Sequence, residues 1–262
     1  MLKSIRGLDV NLWKKIMNLY FGDPLTHVYL VYDLIYEVGN TNVCFNLRNG
    51  DVSGYILIWK GWRGYGIHVW GEAFNLISKI PVDKDSVIQI YDEHLLKPVI
   101  EYLDEAGKVL VNSYLNMVVD EDTFKPYEYG ESVPVRLKVS DSKELFELLN
   151  CEDGDWRLED LEEFLAKWRW YGIYVDGRLV SVSSAYVRMP EVWMIGAVYT
   201  HPDYRGRGYG KIVTSAITRD AINSGAKARL HVKKDNQIAI KVYRHLGYRI
   251  SGEQKWVFFK TH

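Results

Sequence analysis

Two periodicities alternate along this chain, and the points where one replaces the other mark its elements. Residues 9–20 carry Val10, Leu12, Trp13, Ile16, Met17 and Tyr20 three and four apart, the spacing of one helix face. Gly22-Asp23-Pro24 stops that helix, and residues 25–37 predict a second one, apolar on most faces. From Asn42 the period shortens to two. Asn42–Arg48 and Gly54–Trp59 read as strands joined at Asn49-Gly50, a dipeptide that tolerates the left-handed backbone of a tight hairpin. Gly61-Trp62-Arg63-Gly64 turns the chain into a third strand, Tyr65–Trp70. Ser86–Tyr91 is a fourth, and Asp92 is the expected cap of a helix over 94–104, with Pro98 in its opening turns. Lys108–Val118 is a further strand.

Residues 119–134 follow neither period and hold Asp120, Glu121, Asp122, Pro126, Gly130 and Pro134, so they read as a linker. Beyond it, Val135–Val139 predicts a strand and Ser142–Leu149 a helix capped by Asp141 or Ser142. Leu158, Leu161, Leu165 and Trp168 mark a buried stripe under a strongly acidic stretch. Tyr171–Val175 and Leu179–Val187 form a hairpin at Asp176-Gly177, and Val192–Thr200 is an apolar strand. Ile212, Val213, Ala216, Ile217 and Ala221 give the buried face of a long helix stopped by Gly225. Ala228–Val232 is a strand. In the last helix Ile238, Val242 and Leu246 are expected to bury one face, while Asn236, Ala239 and Tyr243 share another stripe.

Composition narrows the class. With 262 residues, 47% hydrophobic and 26% charged, the chain suits a soluble globular protein of two ordinary domains, divided as 1–125 and 134–262. A net charge of −1 leaves no field to recruit nucleic acid. Cys44 and Cys151 form no C-x-x-C pair and read as reduced thiols. Met1–Arg6 lacks an apolar segment with a cleavage site, and no apolar run approaches membrane-spanning length. The expectation is a cytoplasmic protein with no membrane partner.

The candidate chemistry sits after the apolar strand, in Val198-Tyr199-Thr200-His201-Pro202-Asp203-Tyr204-Arg205-Gly206-Arg207-Gly208-Tyr209-Gly210-Lys211. Glycines let backbone N–H groups crowd an anion, and the helix that follows adds free donors and the positive end of its dipole. A phosphate-binding P-loop would need Ser or Thr after Gly210-Lys211, where Ile212 stands, and the dinucleotide G-x-G-x-x-G spacing fails by one residue. What remains is Arg205-x-x-Gly208-x-Gly210 between a strand and a helix. It resembles the R/Q-x-x-G-x-G/A pyrophosphate loop of the GNAT superfamily of N-acetyltransferases. One helix and one strand later, Asn236-x-x-Ala239-x-x-x-Tyr243-x-x-x-Gly247-Tyr248 resembles that family's N-x-x-A-x-x-x-Y-x-x-x-G-[FY] motif. Both motifs stand in order across 192–248, within a family-like domain over 134–260. The first half repeats the same element order without the glycine loop or counterparts of Asn236 and Tyr243. The resemblance therefore implies an α+β (mixed α/β) fold, with a mostly antiparallel central sheet flanked by helices, in two tandem halves of which the first is degenerate.

It also implies acetyl-CoA as co-substrate, with no metal. The N–H groups of Arg205, Gly206, Arg207, Gly208, Tyr209, Gly210 and Lys211 would surround the pyrophosphate. Peptide groups of Val198 and Thr200, on either side of Tyr199, would pair with the pantetheine as a strand, and the Val198 N–H would polarise the thioester carbonyl. Asn236 would bond the pantetheine arm beside the small Ala239. Tyr243 is the candidate catalytic acid toward the leaving thiolate. Many family members place a Glu on the strand before the loop. Here Val192–Val198 holds no carboxylate, which leaves Glu191, Tyr199, His201 or water as candidate bases, with His201 expected instead to cap the loop. The acceptor is an amine of a small molecule or peptide, and the chain a monomer or homodimer. Residues 152–163 carry Glu152, Asp153, Asp155, Glu159, Asp160, Glu162 and Glu163 against Arg157 alone, near Trp156, Trp168 and Trp170. That run is either a surface for a cationic acceptor or a solvated helix face. The alternative to an N-acetyltransferase is a non-catalytic acyl-CoA-binding module on the same fold.

Overall fold

Asp23 ends one helix and starts the next. Its backbone N–H bonds the carbonyls of Leu19 and Tyr20 to close α1 (Val10–Gly22). Its carboxylate accepts the Thr26 N–H at 3.1 Å to open α2 (Pro24–Tyr36), with Pro24 in the first turn where no N–H is needed. The computed structural model to which these helices belong describes residues 8–61, 63–127, 133–152 and 154–262.

The chain divides into two compact units, 1–115 with 252–262, and 116–251. In the first, α1 and α2 are followed by β1 (Thr41–Arg48), β2 (Asp51–Gly61), β3 (Gly64–Gly71), β4 (Ser86–Ile90), α3 (Leu96–Asp104) and β5 (Gly107–Val119). Asn49 and Gly50 take the expected left-handed conformations (φ 54° and 88°) between β1 and β2. The sheet order is β1-β2-β3-β4, then the final strand of the chain, β11 (Arg249–Thr261), then β5. Only β3 and β4 run parallel, while β11 meets β4 antiparallel from Lys255↔Ile90 to Phe259↔Ser86. Ile56, Ile67, Ile88, Val99, Leu103 and Val257 lie in one fully buried cluster. Asp92 does not cap a helix as its sequence position suggested. Its carboxylate accepts the Gly71 N–H at 2.7 Å, and a short 3₁₀ turn, Glu93–Leu95, precedes α3. A second 3₁₀ helix, Phe74–Lys79, was not anticipated.

The second unit runs β6 (Val135–Arg136), α4 (Ser142–Leu149), α5 (Leu158–Lys167), β7 (Arg169–Val175), β8 (Arg178–Arg188), β9 (Val192–Thr200), α6 (Tyr209–Asn223), β10 (Lys227–Lys233) and α7 (Gln237–His245). Its sheet order is β5-β10-β9-β8-β7-β6, again with one parallel pair, β9 and β10. Each unit thus sets helices, a three-stranded antiparallel meander and a parallel fourth strand in the same sequence. This is the mixed, mostly antiparallel sheet flanked by helices that the motifs implied, built twice. The α6 face came out as its spacing predicts, with Ile212, Val213, Ala216, Ile217 and Ala221 all buried.

Several boundaries differ from the sequence pattern. The expected strand Val135–Val139 keeps only two residues, because Asp141 accepts the Lys138 N–H at 2.6 Å and pulls Val139–Asp141 into a 3₁₀ turn. On α7 the buried residues are Ile240 and Tyr243, while Ile238 is 81% exposed, so the predicted Ile238–Val242–Leu246 face is not the packed one. The division into 1–125 and 134–262 also shifts. Residues 252–262 pair with β4 and complete the first unit's sheet, whereas the stretch read as a linker belongs with the second. There the Lys125 N–H bonds the Leu246 carbonyl, and the Tyr127 N–H bonds the Ser215 hydroxyl. Gly130 of that stretch, Trp62 of the first hairpin region and Asp153 of the acidic run lie outside the described residues.

Candidate active site

Ile195 and Leu230 are the last partners in the parallel ladder of β9 and β10, which begins at Val192 and Lys227. Beyond Ile195 the strand continues to Thr200 without a partner on that side. A bulge causes the parting. Between Gly196, opposite Ser184, and Tyr199, opposite Val182, β9 holds one more residue than β8, and Ala197 takes a left-handed φ of 48°. A non-glycine residue there is strained, and such strain persists where surrounding structure imposes it. The opening is a cavity of about 340 Å³ lined by β9 residues 195–198, β10 residues 230–233, Gly210, and Asn236, Ala239, Val242 and Tyr243 of α7 and its cap.

Five of the residues singled out from sequence meet in this cavity: Val198, Gly210, Asn236, Ala239 and Tyr243. Asn236 is the N-cap of α7, its side-chain oxygen accepting the Ala239 N–H at 3.1 Å. That bond occupies the oxygen and leaves the amide N–H₂ to donate. Tyr243, 7% exposed, has no hydrogen-bond partner for its hydroxyl among the described residues. Burial pushes its phenol up to about 12, so it is protonated throughout the neutral range.

Arg205, Gly206, Arg207, Gly208, Tyr209 and Lys211 form the adjoining loop and the first turn of α6. Gly206 and Gly208 sit at φ 78° and 86°, with nothing within 4 Å of where a Cβ would project. The end donors of the run are used internally, Arg205 N–H to the Pro202 carbonyl and Lys211 N–H to that of Gly208. The N–H groups of residues 206–210 have no partner among the described residues. They are what the loop can offer an anion. The loop's cationic side chains are each held. Arg205 Nε donates to the Thr200 carbonyl at 3.1 Å, Arg207 Nη2 to the Asp203 carbonyl at 3.2 Å, and Lys211 Nζ lies 4.5 Å from the Tyr127 ring centre.

Tyr199 and Thr200 do not line the cavity. Thr200 Oγ1 meets Ser181 Oγ at 2.8 Å. Tyr199 packs against the cluster under α4 and α5, and its hydroxyl donates to Glu152 at 2.6 Å beside the Cys151 thiol. Burial, then those two neighbours, drive the Tyr199 phenol far above its ordinary range. Glu152 also accepts from Arg205 Nη2, and its carboxyl is held below the usual range first by Tyr199 and then by Arg205. The pairing of Glu152 with the loop was not visible from sequence.

Among the candidate bases, Glu191 lies at the far end of β9, about 16 Å of extended strand from Gly196. His201 is buried, with Nε2 2.9 Å from Arg178 Nη2 and Nδ1 accepting the Asp203 N–H, which makes it the expected cap of the loop. The tryptophans near the acidic run are core residues. Trp170 is sealed and donates to the Phe164 carbonyl, while Trp168 stacks on the Phe164 ring at 4.1 Å. Asp160 is paired with Arg157, and Glu159 and Glu163 lie on the exposed face of α5. Among the described residues no cluster of His, Cys, Asp or Glu is placed to hold a metal ion, and no helix is long and apolar enough to cross a membrane.

Residues 142–248 match the family model described as the Acetyltransferase (GNAT) family. No curated protein matches the chain significantly. Among solved structures, a GCN5-related N-acetyltransferase-like protein from Streptococcus suis is similar over 95% of this chain and 100% of its own, with 14% identity and a TM-score of 0.66. A GNAT-family acetyltransferase from Colwellia psychrerythraea matches over the whole of both chains at 14% identity and a TM-score of 0.61. A tandem GNAT protein from the clavulanic acid biosynthesis pathway matches 99% of this chain and 98% of its own at 15% identity and a TM-score of 0.62. At these identities the likeness is one of fold.

Proposed function

With residues 142–248 forming a domain of the GNAT acetyltransferase family, we propose that this chain transfers an acetyl group from acetyl-CoA to an amine. The observation that carries the reading is the parting of β9 and β10 after Ile195 and Leu230, beside a loop whose free N–H groups lead into α6. A thioester arm fits an opened parallel pair because both strands present unpaired peptide groups there. A pyrophosphate fits the loop because residues 206–210 offer donors at a helix N-terminus.

Each residue then has a task. The Val198 peptide N–H polarises the acyl carbonyl and stabilises negative charge as the amine attacks. Asn236 donates its free amide N–H to the pantetheine arm, and Ala239 leaves room for it. The amine nitrogen bonds the acyl carbon, the carbon–sulfur bond breaks, and the amine gives up a proton to solvent. Tyr243 hands its phenolic proton to the departing thiolate and recovers one from water. A phenol at about 12 is a weak donor in the closed protein, but it never competes as an anion with the acyl group.

The first unit has no such opening. There β3 and β4 remain paired through Val69↔Ile90, and the Tyr91 N–H still bonds the Val69 carbonyl beyond them. This supports its reading as a half that does not bind CoA. Calorimetry with acetyl-CoA, followed by CoA release against a panel of amines, tests the proposal. CoA binding without turnover of any amine would favour the binding module instead.

A further inference from the structure

Arg229 is a buried cation that the acetyl-transfer chemistry leaves unused. It lies in the middle of β10, 4% exposed, and its Nε and Nη1 atoms are sealed from solvent without a hydrogen-bond partner. A guanidinium presents five donors and keeps its charge, so leaving it unpaired in the interior is strongly unfavourable. Folds retain such groups where a ligand or ordered water completes them.

Its position says which ligand. Side chains alternate along a strand, so Arg229 shares a face of β10 with His231, whose Nδ1 meets Asn116 Oδ1 at 2.6 Å. Leu230 and His231 line the cavity, and Arg229 comes immediately before them. On β9 its partner across the ladder is Met194. Two residues further toward the bulge, Gly196 lines the same cavity, where an added Cβ would strike the Tyr186 ring at 2.8 Å. About 7 Å of strand separates Arg229 from that rim. An acceptor amine at the bulge therefore has a fixed, desolvated cation within a small molecule's length on the same face.

We propose that Arg229 binds an anionic group on the acceptor, so that the amine acetylated here also carries a carboxylate, as an amino acid does. This rests on the acetyltransferase reading above. A planar guanidinium takes a carboxylate through two parallel N–H bonds, which fixes orientation as well as charge. The zwitterion needs no second counter-charge at this point, and its amine stays free for the thioester.

The test uses the full chain, with Arg229→Met and Arg229→Lys, and amino acids paired with their own carboxamides as probes. CoA release gives kcat and KM, and calorimetry on CoA-saturated protein gives probe affinity without turnover. The wild type should prefer carboxylates over carboxamides at least about tenfold. Arg229→Met should erase that preference through KM, leaving the acetyl-CoA Kd within about twofold, and Arg229→Lys should keep part of it. Because Met removes an unpaired buried charge, its Tm should not fall. Equal use or binding of acids and amides by the wild type would overturn the proposal, as would a lower Tm in Arg229→Met with the preference intact. If no amine is acetylated yet carboxylates bind in an Arg229-dependent way, the anion site stands and the transferase reading falls.

Discussion

Ile195 and Leu230 are the last residues at which β9 and β10 hold each other, and the cavity begins at the next residue of each strand. The Ala197 bulge pushes the two strands apart, and a parallel pair that stops early leaves N–H and C=O groups that must find another partner. The corresponding strands of the first unit stay paired almost to the end of β3. A ligand-binding half and a half without that opening therefore differ by one inserted residue and the loop after it.

Gly208 caps α6 at φ 86° with open space where a side chain would project. Gly208→Val meets no protein atom directly, so its cost comes from the left-handed backbone and from blocking anion approach. The acetyl-CoA Kd should rise at least about tenfold, roughly 1.4 kcal/mol, with an unchanged circular dichroism spectrum. Unaltered affinity by calorimetry would remove this loop from the binding site.

Tyr243→Phe deletes one hydroxyl that lacks a protein partner, so folding and acetyl-CoA binding should survive. Turnover should drop by about 10²–10⁴, the usual loss of an acid. Burial raises this phenol above its ordinary value to about 12. The stability from keeping it neutral is whole below pH 10 and lost as pH climbs from there through about 12. The wild type should consequently lose more stability over that interval than Tyr243→Phe. Turnover within a factor of about two of wild type would make Tyr243 a packing residue.

The pyrophosphate loop and the α7 stripe were legible in the sequence because both are local: two glycines at positive φ, and three residues on one helical face. The same local reasoning failed at Ile238. Helical spacing says which residues share a face but not which face another element covers. Arg229 could not be singled out, because its burial depends on which strands flank β10. Nor could Glu152, which lies 53 residues from Arg205. The last strand has an unbroken alternation that gives no sign that residues 252–262 complete the first unit's sheet. Strand partners are chosen by register and topology, and neither is written in a single strand's pattern.

His27 provides a pH test of the first unit. It is 2% exposed, with Nδ1 3.0 Å from the Tyr55 hydroxyl and its ring edge-on to Trp70 at 4.6 Å. Burial lowers its pKa to about 4, against the weaker opposing pull of Asp23 and Asp92. Since the folded value lies below the unfolded one, the contribution is whole above about pH 6.5 and lost as pH falls toward 4, up to about 3 kcal/mol. His27→Phe should flatten the fall in Tm across that window. A parallel fall in both proteins would assign the acid sensitivity elsewhere.

Glu152 and the α5 carboxylates should behave differently although they share one acidic run. Glu159 and Glu163 face solvent on a helix whose inner side is packed by Leu161, Phe164 and Leu165. Replacing both by Gln should leave the acceptor KM and the acetyl-CoA Kd within about twofold, as expected of screened surface charges. Glu152 instead holds the Arg205 guanidinium at the edge of the pyrophosphate loop, and takes the Tyr199 proton as well. An ionised carboxylate there opposes an incoming anion and occupies the cation that would meet it. Glu152→Gln should therefore tighten acetyl-CoA binding a few-fold at low salt, with the gain fading as ionic strength rises. Calorimetry at two salt concentrations decides the sign. Weaker binding would mean that Glu152 positions Arg205 for the pyrophosphate rather than competing with it, and the acidic residue would belong to the cradle itself.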